Sequence, residues 1–158
     1  MRYIIREKIL TFGNDSIIKN EAGQPVFDVD DKALSLINTL VIRDMDKNKV
    51  ITIKQKLPSI KPTYEITREG QESATISKKL ISPFVDRYTV DIPGPDDLQI
   101  KGSTQEHEYT ISSKDQVIAT VSKAWFKELE TYGVDIAPGQ DDLLILACVL
   151  VLDLIGDR

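Results

Sequence analysis

Leu143-Leu144-Ile145-Leu146-Ala147-Cys148-Val149-Leu150-Val151-Leu152 runs for ten residues without a polar side chain, and its reading decides the fold. Asp141-Asp142 stand just before it, where a carboxylate caps a helix and complements the positive end of its dipole. Gly156 follows as a helix-ending residue. A transmembrane helix needs about 20 apolar residues, but Asp153 interrupts this run at half that length. A helix from Asp142 to Ile155 spans only about 21 Å at 1.5 Å per residue. A single buried strand is the competing reading, yet ten unbroken residues is long for a strand. A helix apolar on every side has to be surrounded by protein, so the rest of the chain is expected to wall it in.

The wall is legible upstream as short runs rich in β-branched and aromatic residues. Tyr3-Ile4-Ile5-Arg6, Ile17-Ile18-Lys19 and Pro25-Val26-Phe27-Asp28-Val29 are separated by turn residues such as Gly13-Asn14-Asp15. Thr39-Leu40-Val41-Ile42-Arg43 and Val50-Ile51-Thr52-Ile53-Lys54 flank Asp44-Met45-Asp46-Lys47-Asn48 as a hairpin. Thr63-Tyr64-Glu65-Ile66-Thr67 and Ala74-Thr75-Ile76-Ser77-Lys78 form another. Residues 30–37 are ambiguous and suit one helical turn. Many short strands and one apolar terminal helix point to a closed antiparallel sheet around an axial helix. Closure removes strand edges, and the helix fills a lumen too wide for strand side chains alone.

An internal repeat spans residues 64–100 and 109–146. Tyr64-Glu65-Ile66-Thr67 recurs as Tyr109-Thr110-Ile111-Ser112, and Ala74-Thr75-Ile76-Ser77-Lys78 as Ala119-Thr120-Val121-Ser122-Lys123. Pro93-Gly94-Pro95-Asp96-Asp97-Leu98 recurs as Pro138-Gly139-Gln140-Asp141-Asp142-Leu143. Order and spacing are kept, which favours a duplicated unit. After the second Asp-Asp pair the strand is replaced by the apolar helix.

Composition narrows the function. The 158 residues make one ordinary domain, expected to run over 1–158. Twenty Lys and Arg stand against 25 Asp and Glu, a formal net charge of -5. That disfavours nucleic acid as a partner. A single cysteine, Cys148, rules out an internal disulfide and fits a reducing compartment. The start of the chain lacks an apolar signal core, so a cytoplasmic location is expected.

At this point the residues resemble the LURP-one-related family, a branch of the tubby C-terminal-like superfamily that also includes phospholipid scramblases. The resemblance is carried by Asn20-Glu21-Ala22-Gly23-Gln24-Pro25-Val26-Phe27, the hairpin over 44–53, Ala119-Thr120-Val121-Ser122-Lys123-Ala124-Trp125, Tyr132-Gly133-Val134-Asp135-Ile136 and Asp141-Asp142 with the apolar run behind it. It implies a mainly β fold, a twelve-stranded closed antiparallel barrel around a central hydrophobic C-terminal helix. Tubby-type domains bind phosphoinositides and membranes, and scramblase-like members act at membranes. Fold analogy by itself does not carry function across.

Candidate chemistry is sparse. His107 lies in Gln105-Glu106-His107-Glu108, a polar stretch in which a surface position is expected. Cys148 sits mid-run, where a thiolate is disfavoured. A nucleophile–base set is therefore not expected, nor an enzyme, a metal site or a cofactor. Asp44-Met45-Asp46-Lys47-Asn48 imitates the start of a calcium loop, but the sixth and twelfth positions hold Lys49 and Gln55 instead of Gly and Glu. Alternation along the fifth run sends Lys54 and Lys56 outward. With Lys61 they form the candidate lipid- or anion-binding residues. Lys78 and Lys123 end core-facing rows near a barrel end, where each is expected either to meet a carboxylate, Asp96 or Asp97 for Lys78 and Asp141 or Asp142 for Lys123, or to reach water. The leading expectation is a non-enzymatic binding module, peripheral to a membrane surface or bound to an anionic, phosphoinositide-like head group. The alternative is a protein-interaction or scaffold domain without a lipid ligand.

Overall fold

The computed structural model describes residues 1–6, 16–30, 39–56, 61–79, 85–94, 96–104, 106–127 and 131–156. Twelve strands run in chain order: β1 (Arg2–Arg6), β2 (Ser16–Asn20), β3 (Pro25–Asp30), β4 (Thr39–Arg43), β5 (Lys49–Gln55), β6 (Thr63–Thr67), β7 (Ala74–Lys78), β8 (Asp86–Asp91), β9 (Leu98–Ser103), β10 (Glu108–Ser113), β11 (Gln116–Ser122) and β12 (Thr131–Ile136). One helix, α1 (Asp142–Gly156), follows. Every strand pairs antiparallel with its sequence neighbours, and β1 pairs with β12 to close the barrel. The expected helical turn over 30–37 falls, beyond Asp30 at the end of β3, outside the described residues.

Strand parity explains the core. On β5, Ile51 and Ile53 are buried while Lys54 is exposed; on β8, Tyr88 and Val90 are buried while Arg87 is exposed. The inward rows meet α1 along the axis. Ile42, Ile53, Ile66, Ile76, Ile111 and Val121 join Ile145 through Leu152 in one buried cluster. Leu143 and Leu144, at the mouth, are only partly buried. Each fully buried Val, Leu or Ile side chain contributes about 1.5–3 kcal/mol over an exposed one. An apolar helix is therefore stable here although it exposes no polar face to solvent.

The helix direction gives the barrel a top, where α1 begins, and a base, where it ends. Asp141 caps the start, its Oδ1 accepting the Leu144 N–H at 3.2 Å. The β2–β3, β4–β5, β6–β7, β8–β9 and β10–β11 turns lie at the top. Two glycines permit close approaches. Gly102 has φ +144°, and a Cβ there would lie 2.5 Å from the Glu108 carbonyl oxygen. A Cβ on Gly133 would lie 2.7 Å from the Trp125 ring, which packs over the outside of β12. Arg2 covers that ring at 4.1 Å.

Candidate functional site at the base of the barrel

At the top, most cations are neutralised locally, although Lys19 and Lys49 are exposed without an ion pair among the described residues. Arg43 pairs with Asp28 and Asp30, Lys47 with Asp28 at 2.8 Å, Arg68 with Asp141 and Lys114 with Asp96 at 3.1 Å. Further acids remain exposed there, including Asp46, Glu69, Glu72, Asp97 and Asp115. Tyr3 donates to Asp142 Oδ2 at 2.6 Å. Burial first, and then the Asp142 carboxylate, push its phenol well above the usual tyrosine range. A groove of about 350 Å³ opens beside the helix start, floored by Ile66, Ala74, Ile92 and Leu144 and edged by Arg68 and Asp141. Arg68 and Asp141 already satisfy one another, and Glu72 adds a further acid to the lining.

The base has the opposite balance. Lys54, Lys56 and Lys61 are all exposed on the β5–β6 hairpin. Lys56 N–H donates to the Thr63 carbonyl at 2.9 Å, and Thr63 Oγ1 donates to the Lys61 carbonyl at 3.0 Å. Lys54 stands directly across from Glu65, whose Oε1 accepts from Ser73 Oγ at 3.2 Å. Sheet register adds Lys79, Arg87 and Lys101, which are exposed and belong to other hairpins. Sequence reasoning missed them because cross-strand neighbours are fixed by pairing, which local patterning does not display. Charge is thus biased along the axis, acids predominating around the start of the helix and cations around its end, although Glu106 and Glu108 are also exposed at the base.

Two expected lysine pairings are corrected by strand direction. Lys78 was expected to meet Asp96 or Asp97; its Nζ lies 3.8 Å from Asp86 Oδ1 instead. Lys78 ends β7 at the base, where β8 starts, whereas Asp96 and Asp97 precede β9 at the top. Lys123, expected near Asp141 and Asp142, likewise follows β11 at the base, while both acids open the helix at the other end.

His107 is also corrected. It is buried, with only 7% of its surface exposed. A left-handed backbone conformation, φ +52°, precedes β10 and accompanies the inward turn of the ring. The imidazole stacks on Tyr132 with ring centroids 4.2 Å apart, and Nε2 lies 2.9 Å from Asp153 Oδ1. Tyr132 donates its hydroxyl to Asp153 Oδ2. The signal was Asp153 itself: an acid on a helix surrounded by protein needs polar partners. Nearby, burial raises the Tyr109 and Tyr88 phenols above the ordinary tyrosine value. Burial pushes the Cys148 thiol up to about 12, so it is not a nucleophile at neutral pH.

A twelve-stranded closed barrel threaded by a C-terminal apolar helix defines the class of this protein. The chain belongs to the LURP-one-related family, whose family model matches residues 1–153. It is 28% identical over 154 residues to uncharacterized protein YxjI of Bacillus subtilis strain 168, covering 96% of this chain and 91% of that one. An X-ray structure of an Arabidopsis thaliana protein shares the fold, with a TM-score of 0.69 at 17% identity. That match covers 99% of this chain and 92% of the other. Among the described residues no helix is long and apolar enough to cross a membrane.

Proposed function

We propose that this protein is a non-enzymatic binding module that docks the base of its barrel on anionic lipid head groups at a membrane surface. The observation supporting this reading is the axial bias of charge. At the top, Arg43, Lys47, Arg68 and Lys114 are each held by a carboxylate. Around the base, Lys56, Lys61, Lys79, Arg87 and Lys101 are exposed on neighbouring strands. Such a molecule approaches an anionic surface in one orientation, its acidic top turned away. The resemblance to tubby-type domains supports the same reading by analogy. Each basic residue near an anionic surface contributes about 1 kcal/mol, so attachment is weak and salt-sensitive.

The test is co-sedimentation with vesicles across a series of lipid charge and ionic strength. Binding that rises with anionic lipid and disappears at high salt is the expected result. Binding that ignores lipid charge, or none at low salt, sinks the reading and leaves the scaffold alternative.

A further inference from the structure

We propose that one cross-strand row, Lys61, Lys79, Arg87 and Lys101 on the outer face of β6–β9, is the contact for phosphate-ester anions, and that it takes a head group carrying more than one phosphate. This rests on the anion-binding reading above and assigns it to particular residues.

Pairing builds the row. Arg87 lies directly across from Lys101. Lys79 comes one residue after β7, and its N–H donates to the Arg87 carbonyl at 2.9 Å, so the β7–β8 ladder continues through this pair. Lys78 N–H donates to the Pro62 carbonyl at 3.3 Å, which sets Lys61 beside Lys79. Tyr64, Ile76, Tyr88 and Ile100 on the same four strands are buried. Alternation then turns Lys61, Lys79, Arg87 and Lys101 outward, and all four are exposed.

A second row runs alongside, one step up the barrel. Thr63 faces Ser77, Ser77 faces Thr89 and Thr89 faces Gln99. Lys56 extends this row onto β5 through its bond to Thr63. A rank of cations therefore borders a rank of hydroxyl and amide groups, about 6–7 Å away along the strands. Together they offer charge and hydrogen-bond donors to one ligand.

Like charges directly opposite one another in a sheet are unfavourable, and the fold does not offset them along Lys79, Arg87 and Lys101. Among the described residues, Lys79, Arg87 and Lys101 have no carboxylate within ion-pair distance. An anion bridging neighbouring cations relieves that repulsion. Arg87, inside the row, brings a guanidinium fork that grips a phosphate with two parallel bonds, and the lysines beside it act as point charges. Strands are about 4.8 Å apart, so the four Cα positions span roughly 15 Å. One phosphate bridges two neighbours; the full row suits two or more.

The experiment uses the full chain and three vesicle preparations: phosphatidylcholine alone, with phosphatidylserine, and with phosphatidylinositol bisphosphate at equal total charge. Calorimetry with soluble inositol trisphosphate is the second arm. The variants are R87Q/K101Q, the charge-keeping R87K/K101R, K54Q/K56Q and, at the top, K49Q. Wild type is expected to prefer the bisphosphate vesicles. R87Q/K101Q should lose about twenty- to thirty-fold in affinity, from roughly five-fold per cation, while R87K/K101R keeps most of it and K49Q nearly all. Equal binding by wild type and R87Q/K101Q, with loss in K54Q/K56Q, overturns the row and leaves the anion reading standing. Equal binding to phosphatidylserine and bisphosphate vesicles overturns the claim of a multiply phosphorylated head group. Binding of soluble inositol trisphosphate without vesicle binding supports the row and overturns the membrane reading. Failure of wild type in both arms overturns the two together.

Discussion

His107 Nε2 and Asp153 Oδ1 meet at 2.9 Å where the axial helix ends, with the two side chains only 9% and 8% exposed. Asp153 sits at the negative end of the helix dipole, an unfavourable place for a carboxylate. The His107 ring and the Tyr132 hydroxyl supply its polar contacts. D153A should therefore lower stability by about 1–3 kcal/mol, because it strands buried polar partners. Urea denaturation measures it. A variant as stable as wild type would show that the trio contributes nothing to the fold.

Asp44 closes the β4–β5 hairpin. Asn48 N–H donates to its Oδ1 at 3.0 Å and Asp46 N–H at 2.9 Å. The Asn48 backbone bond is the main cause holding this carboxyl below its ordinary value of 3.8. A folded pKa below the unfolded one means stabilisation that is present above the unfolded value and lost as pH falls through the folded one. D44A should thus be less stable than wild type at neutral pH, with the two converging in strong acid. A carboxyl titration by NMR with its midpoint above 3.8 contradicts this account.

Cys148 lies at the centre of the helix and is fully buried. With its thiol pushed up to about 12 by burial, it should react with a thiol reagent at neutral pH only when the barrel opens. The labelling rate should then rise with sub-denaturing urea. Labelling of the native protein at the rate of a free thiol would mean that the helix is not enclosed.

Leu146 and Leu150 are both completely buried, one helical turn apart. Replacing either with Ala should cost about 2–5 kcal/mol through lost transfer energy and the cavity left behind. Thermal and chemical unfolding of each variant test this. A loss below about 1 kcal/mol would mean that the wall collapses onto the gap.

The fold was readable because two periods dominate the chain. Ile51 and Ile53 alternate with Thr52 and Lys54, which marks a half-buried strand. The run from Leu143 to Leu152 has no polar interruption and marks an enclosed helix. The strand count and the closure between β1 and β12 come from pairing, which periodicity does not encode; the count was expected only through family resemblance. The candidate site was legible in part. Lys54, Lys56 and Lys61 are close in sequence and lie on one hairpin. Arg87 and Lys101 are 14 positions apart, and only the β8–β9 register makes them adjacent. Residue types alone do not say at which end a strand finishes, so the acids expected beside Lys78 and Lys123 lie at the other end of the barrel.

The same register sets a trade between stability and binding. Arg87 and Lys101 face one another as like charges, an arrangement that costs about 0.2–1 kcal/mol. Neutralising one partner, in R87Q or K101Q, should raise the stability of the unliganded protein by that amount, or about 1–4 °C in Tm for a chain of this size. The gain should shrink as salt is added, because screening already weakens repulsion between exposed charges. A gain that persists at high salt would come from packing or strand propensity. Binding should move the other way, with each variant losing affinity for anionic vesicles while gaining Tm. K49Q, across from Arg43 at the top, also relieves a like-charge pair, yet it should leave vesicle binding nearly unchanged. Calorimetry in low and high salt, beside co-sedimentation of the same samples, reads both quantities. If R87Q and K101Q lose stability at low salt, the row is not repulsive and its need for an anionic partner disappears.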